Sequence, residues 1–249
     1  VKVDVALTNR FDKQDLKVEV KGSVVAVIDV IRATSSVAAL FGSGIKKITI
    51  AATLEDAYRF KKKDPKKLLC GEVNGCPPEG FNYGNSPLEF SGLDLSGREA
   101  ILKTTNGTAS FLMAKGSGSV FSMAALNFRT TLEKVLEAAM ESGNDILLIC
   151  SGEQGKVAYD DAYIAGMAIR DIMKRPEGFE FSDSAKLVLS AVLGDRDILN
   201  ALSKSTSAAS LKGVGLGEDI PFCARLNEYN LVIKSVIKDN IPHLVLDLP

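Results

Sequence analysis

The sequence predicts an α/β protein, a three-layer α/β/α sandwich with a mixed, largely parallel sheet. Three observations carry that prediction. Apolar runs such as Val24-Val25-Ala26-Val27-Ile28 and Ile146-Leu147-Leu148-Ile149 are short and bounded by turn residues, the pattern of strands buried on both faces. They alternate with stretches of helical composition, which implies crossover connections that place helices on both faces of the sheet. Several runs end in short polar motifs, and open α/β sheets bind ligands where the carboxyl ends of their strands open into loops.

Taken in order, Val3–Leu7 and Val24–Asp29 read as strands. Ala33–Phe41 has helical composition and stops at Gly42-Ser43-Gly44. Lys47–Ile50 is a strand, and Thr53-Leu54-Glu55-Asp56 opens a helix with a capping Thr and an acidic first turn. Lys67–Gly71 is a strand. The Gly-, Pro- and Asn-rich stretch after it lacks periodicity, and a long loop inside a compact domain is usually functional. Ala100–Lys103 (strand), Gly107–Ala114 (helix) and Ser119–Ser122 (strand) follow. Thr131–Glu141 is an amphipathic helix that buries Leu132, Val135, Leu136 and Ala139. Asp145–Cys150 is a strand, and Asp160–Lys174, Ser182–Gly194 and Asp195–Ser203 are helices. Leu231–Lys234 and His243–Leu246, joined across Lys238-Asp239-Asn240, form a closing pair of strands. Residues 1–249 are expected to form a single domain, in which the helical stretch within about 160–215 could be an insertion or cap.

The bulk numbers exclude several function classes. At 249 residues the chain buries enough surface for one large core, and 46% apolar with 24% charged residues is ordinary for a soluble globular protein. A net charge of −1 leaves no basic footprint for nucleic acid. Lys61-Lys62-Lys63 and Lys66-Lys67 read as the solvated end of a helix, where cations complement the dipole. No apolar stretch approaches the ~20 residues that span a bilayer. Val1-Lys2-Val3-Asp4 lacks the pattern of a signal peptide, so a cytoplasmic location is expected. Cys70, Cys76, Cys150 and Cys223 are too scattered for a disulfide framework or a zinc knuckle. The single histidine, His243, near a terminal strand, disfavours Ser-His-Asp hydrolases and His-based metal sites. Acid–base work falls to carboxylates, Cys, Lys, Tyr or the water of a metal ion.

The polar motifs point to an acidic, phosphorylated ligand held with a hard cation. In Asp29-Val30-Ile31-Arg32-Ala33-Thr34-Ser35-Ser36, a strand passes into a helix whose N–H groups and hydroxyls suit an anion. Arg32 there can grip an oxyanion bidentately. A capped helix is the plain alternative. Lys103-Thr104-Thr105-Asn106-Gly107-Thr108 repeats the arrangement after a second strand. Neither motif is a P-loop, and Ile31 stands where a haloacid dehalogenase has its second Asp. Cys150 heads a Cys-x5-Lys loop that includes Ser151 and Gly152. This has the spacing of a cysteine phosphatase with Lys156 in place of Arg, and a small buried thiol is the favoured reading. Asp160 and Asp161 open the next helix, where side chains of adjacent residues diverge, so one of the two is expected to face the site. Asp29, Glu72, Asp160 and Asp161 are oxygen ligands of the kind magnesium takes. Asn85 and Ser86, in Asn82-Tyr83-Gly84-Asn85-Ser86-Pro87, offer polar groups to a substrate, with a plain turn before a helix as the alternative.

Together these segments resemble the 2-phosphosulfolactate phosphatase family of coenzyme M biosynthesis, often called the ComB family. The matching stretches are Ile28 to Ser35, Gly71-Glu72, Gly80 to Pro87, Thr104 to Thr108, and Cys150-Ser151-Gly152 with Asp160-Asp161-Ala162. Asp219 with Cys223-Ala224 is a weaker match. The resemblance runs in order along nearly the whole chain. It implies a Mg2+-dependent acid phosphatase that converts 2-phospho-3-sulfolactate to 3-sulfolactate and phosphate. On this reading Asp29, Arg32, Asp160 and Asp161 are catalytic, and Asp29, Glu72, Asp160 and Asp161 hold magnesium. Thr34, Ser35, Ser36, Asn85, Ser86, Lys103–Thr108, Ser151 and Gly152 bind the substrate. The expected partner is a small acidic phosphate ester, with neither nucleic acid nor membrane. Two rivals stand beside it: a phosphatase for other 2-hydroxyacid phosphate esters, and a non-catalytic protein that binds small organic phosphates or sulfonates.

Overall fold

The computed structural model of the chain describes residues 1–10 and 20–248. In chain order the first half contains β1 (Lys2–Ala6), β2 (Val24–Ile28), α1 (Ala33–Gly42), β3 (Lys47–Ile50), α2 (Leu54–Lys63), β4 (Leu68–Gly71), α3 (Pro87–Ser91), β5 (Glu99–Lys103), α4 (Gly107–Met113) and β6 (Ser119–Met123). The second contains α5 (Phe128–Ser142), β7 (Ile146–Cys150), α6 (Tyr159–Ile172), β8 (Glu180–Phe181), α7 (Asp183–Gly194), α8 (Ile198–Ser203), α9 (Thr206–Gly213), α10 (Asp219–Cys223), β9 (Ile233–Lys238) and β10 (Ile241–Leu246). The expected α/β alternation is present.

One sheet runs in the order β4-β5-β3-β10-β9-β6-β2-β7-β1-β8. β4, β5 and β3 are mutually parallel, as are β6, β2, β7, β1 and β8. Between the two groups lie three antiparallel pairings, β3 with β10, β10 with β9, and β9 with β6. Three reversals make the two parallel halves run in opposite directions. The closing pair of strands foreseen in the sequence is therefore the centre of the sheet. Its tip is the two-residue turn Asp239-Asn240, with φ of 52° and 63°, the left-handed pair whose twist suits a hairpin.

Alternation along the strands sorts the core into layers. Val25, Val27, Leu147 and Ile149 face α1 together with Ile48, Ile50, Ala100 and Leu102 from the other half. Val24, Ala26, Ile28 and Leu148 face the opposite side and pack against α5, α6 and α7. Ala51, Leu69 and Ile101 pack beneath Ala57 of α2. The inner helix α1 is buried along nearly its whole length, whereas α5 buries one stripe, Leu132, Val135, Leu136 and Ala139, as its periodicity requires. Thr53 caps α2 by accepting the Asp56 N–H at 3.1 Å. Among the described residues, no helix is long and apolar enough to cross a membrane.

One close approach brings the opposed halves to one place. α1 follows β2, α4 follows β5, and their first turns pack together. A Cβ on Gly107 would lie 2.4 Å from Ala33 Cβ and 2.7 Å from Asp29 Oδ2, so only glycine allows the approach. The carboxyl ends of β2, β4, β5 and β7 thus open onto a single cleft.

Candidate active site

The cleft holds a cavity of about 200 Å³, below the usual range for sites that take drug-sized ligands, so its occupant is compact. Its wall includes Asp29, Arg32, Glu72, Thr105, Asn106 and Glu153, and α9 with the turn after it roofs the cavity with Ser207, Ser210, Leu211 and Val214.

The loop that carries Asp29 and Arg32 is fastened from behind. The Thr34 hydroxyl donates to Asp29 O at 2.7 Å and accepts the Asp29 N–H at 3.1 Å. Ser35 Oγ donates to Val30 O at 2.7 Å, and Ser36 Oγ donates to Asn85 O at 2.9 Å. These three hydroxyls, which the sequence reading gave to the ligand, are fully buried and committed to the backbone. Thr104 and Thr108 repeat the device after β5: Thr108 Oγ1 donates to Thr104 O at 2.8 Å and the Thr108 N–H donates to Thr104 Oγ1 at 3.1 Å. Thr104 reaches the cavity wall and Thr108 lies behind it. The peptide between Ile31 and Arg32 is cis.

Arg32 is 5% exposed. Its Nη1 meets Asp219 Oδ2 at 2.8 Å and its Nη2 donates to Gly75 O at 3.2 Å. Asp219 also accepts the Ser86 hydroxyl at 2.6 Å, so Ser86 supports the arginine's partner. Lys103 is half-buried and donates to Thr104 O at 2.6 Å, and burial lowers its pKa. Ser151 shares a hydrogen bond with Ser110 at 2.7 Å, and neither Ser151 nor Gly152 lines the cavity.

The four carboxylates named from the sequence divide by what their oxygens do. Asp161 accepts the Val30 N–H at 2.8 Å on Oδ1 and the Gly152 N–H at 2.9 Å on Oδ2, which binds two site loops together. Glu72 accepts the Thr105 N–H at 2.6 Å on Oε1, and on Oε2 the Gly75 N–H at 2.7 Å and the Thr105 hydroxyl at 3.0 Å. Asp29 gives Oδ1 to the Ala33 N–H at 3.0 Å and turns Oδ2 toward Gly107. Asp160 accepts the Ser207 hydroxyl at 3.0 Å on Oδ1, while its buried Oδ2 has no partner.

Sequence reasoning missed Glu153, Ser207 and Ser210. Glu153 sits on a turn that copies the one after β4. Val73 and Cys76 bridge across Asn74-Gly75, Glu153 and Lys156 bridge across Gln154-Gly155, and all four tip residues have positive φ. The repeated Gly-Glu after an apolar run, Gly71-Glu72 and Gly152-Glu153, is the signal that would have found it. Asn106 ties the second turn to the Thr105 loop, donating to Glu153 Oε2 at 3.3 Å and accepting the Gln154 N–H at 3.3 Å.

The cavity is electrostatically unbalanced. Burial, opposed by the Ala33 N–H and reinforced by the charges of Asp160, Glu72 and Glu153, pushes the Asp29 carboxyl up to about 7. Burial, opposed by the Ser207 hydroxyl, takes Asp160 to about 6. Burial and then Glu72 raise Glu153. Arg32, already paired with Asp219, cannot offset these charges. Cys150 is fully buried, and desolvation, then Asp161 and Asp160, hold its thiol well above the ordinary range, which disfavours a thiolate there.

A divalent cation would relieve this imbalance. Among the described residues, no three His, Cys, Asp or Glu side chains converge as a ready ion cage. Magnesium needs less, since it keeps several waters and takes one or two carboxylates plus substrate phosphate. The partnerless Oδ2 of Asp160 and the neighbouring Asp29 fit that lighter demand.

A family model described as 2-phosphosulpholactate phosphatase matches residues 10–237. Proteins described as probable 2-phosphosulfolactate phosphatases are similar over most of their length. The one from Deinococcus radiodurans is 34% identical over 220 residues, 88% of this chain and 90% of its own. The one from Thermus thermophilus is 36% identical over 204 residues, 82% and 84% of the two chains. That from Clostridium novyi is 31% identical over 234 residues, 93% and 96%.

Proposed function

This chain belongs to the 2-phosphosulfolactate phosphatase family, whose chemistry is that of phosphoric monoester hydrolases, and we propose that it hydrolyses 2-phospho-3-sulfolactate to 3-sulfolactate and phosphate with magnesium. The observation that supports this reading best is the convergence of Asp29, Arg32, Glu72, Thr105 and Glu153, from four separate strand-end loops, on one compact cavity.

In this proposal Asp29 and Asp160 would hold the magnesium ion. When bound, the ion neutralises phosphate charge and stabilises the charge that develops in transfer. Arg32 fixes an oxyanion of the ester, its guanidinium held in plane by Asp219 and Gly75. Glu72 and Asp161 keep the Thr105, Val30 and Gly152 amides in place, so the loops are set before substrate arrives. Glu153, raised in pKa and facing the cavity, takes the proton of the attacking water at a carboxylate oxygen and returns it to the departing C2 oxygen. Water adds to phosphorus, the bond from phosphorus to the C2 oxygen breaks, and free hydroxyacid and phosphate leave.

Phosphate release from 2-phosphosulfolactate tests this reading. Release should stop with EDTA and return with magnesium, and calorimetric magnesium binding should be lost in Asp29→Asn. Full activity after thorough chelation would remove the metal, and binding of the ester without release under any metal would make the chain a binding protein.

A further inference from the structure

We propose that Ser207 is a positioning residue for magnesium: from the roof helix α9 its hydroxyl holds one oxygen of Asp160, so that the other is left for the ion. The inference rests on the magnesium-dependent reading above and concerns a residue that acts through Asp160 rather than on the ester.

Ser207 lies 47 positions from Asp160 in the chain, and its hydroxyl donates to Asp160 Oδ1 at 3.0 Å. Both residues are buried, Ser207 at 5% exposure and Asp160 at 1%. The helix that carries the serine is fixed in place. Ser205 caps it by accepting the Ala208 N–H at 3.0 Å, and Ala208 and Leu211 pack into the core beside α5, α6 and α7. The bond therefore ties a rigid roof over the cavity to the first turn of α6, where Asp160 sits.

The two acids that open α6 are held in different ways. Asp161 spends both oxygens on backbone N–H groups, those of Val30 and Gly152. Asp160 spends Oδ1 on the serine, and its Oδ2 is buried without a partner. Buried polar atoms are rarely left so, and a carboxylate turns about its side-chain bonds unless an oxygen is held. With Oδ1 taken by Ser207, Oδ2 is the oxygen that the ion takes, and the serine sets its direction. Hydrogen bonds behind a metal ligand orient it, and their loss costs about tenfold to a hundredfold in metal affinity. Ser210, three residues along on the same helix face, reaches Glu153 instead, so the two serines serve different carboxylates. If Ser207 only satisfied a buried carboxylate, its removal would lower stability and leave metal affinity unchanged.

The test is calorimetric titration of the metal-free protein with magnesium chloride, beside phosphate release from 2-phosphosulfolactate. Ser207→Ala should weaken magnesium binding by about tenfold or more and raise the magnesium needed for half-maximal rate by the same factor. At saturating magnesium its kcat should stay within about threefold of wild type. Ser207→Thr, which restores the hydroxyl, should recover most of the affinity. Thr206→Ala, exposed on the same turn, should bind as the wild type does, and an equal loss there would assign the effect to the helix and overturn the role of the hydroxyl. If Ser207→Ala does not fold, Ser207→Cys, a weaker donor of similar shape, should show the weakened binding. Wild-type affinity in the folded variant overturns the positioning role and leaves the phosphatase reading intact. A wild-type protein that binds no magnesium, yet releases phosphate after chelation, overturns the metal reading and this inference with it.

Discussion

Arg32 and Asp219 stand 187 positions apart in the chain, yet Arg32 Nη1 and Asp219 Oδ2 lie 2.8 Å apart inside the protein. The pair sits where α10 returns to the loop after β2. It uses Nη1 of the guanidinium, while Nη2 donates to Gly75 O, and the two contacts fix Arg32 in the cavity wall.

Arg32→Lys keeps a charge but loses the planar fork that serves Asp219, Gly75 and an oxyanion together. We expect kcat/KM for phosphate release to fall at least tenfold. Asp219→Ala leaves a buried cation unpaired and should cost about 3–5 kcal/mol in urea unfolding. Wild-type kinetics in Arg32→Lys would confine Arg32 to a structural role.

Gly107→Ala tests the close approach of α1 and α4. The added methyl would meet Ala33 and the Asp29 carboxylate, so overpacking should cost about 1–3 kcal/mol of stability. Because the displaced group is Asp29, kcat should fall as well, measured where the variant is fully folded by circular dichroism.

Cys150→Ala separates thiolate chemistry from chemistry on carboxylates. With its thiol buried and its pKa raised, Cys150 is a core residue, and kcat should stay within tenfold of wild type, a barrier change within about 1.4 kcal/mol. An inactive but folded variant would restore the covalent route.

Stability of the metal-free protein should depend on pH through Asp29. Its folded-state value, up at about 7, exceeds the unfolded carboxylate value, so the folded state binds more protons between the two. Stability should therefore decline as pH rises from about 4 to 7, by up to about 1.4 kcal/mol per pH unit from this group. Asp29→Asn should flatten the decline, and saturating magnesium should offset it. Thermal melts at fixed ionic strength read all three. A metal-free protein that gains stability across this range would refute the buried-carboxylate account.

Much of the site was legible in the sequence because strand ends announce themselves. Asp29, Arg32, Glu72 and Thr105 each follow an apolar run within a few residues, and all four reach the cavity. Residue type alone does not tell a hydroxyl that holds a ligand from one that holds its own loop, so Thr34, Ser35 and Ser36 read like ligand groups. The Arg32–Asp219 pair was hidden by sequence separation. The roof over the cavity was hidden by composition: Thr206–Gly213 is rich in Ser and Ala and carries little amphipathic pattern, so tertiary packing rather than periodicity makes it α9. The individual strands were legible from their runs. Their opposed directions were not, because pairings between distant segments leave no local trace.

The position of the β9–β10 hairpin has a consequence for how the molecule comes into being. The segments that bracket it in the sheet, β3 and β6, are made long before it, and the two halves share no strand pairing until it emerges. A growing chain can form each parallel half early, with Asp29 on one and Glu72 and Thr105 on the other. Distant pairings of this sort are slow to form, because loop closure must be met before contacts reward it. The cavity is therefore among the last features to be completed, and catalytic competence is a property of the finished chain rather than of either half.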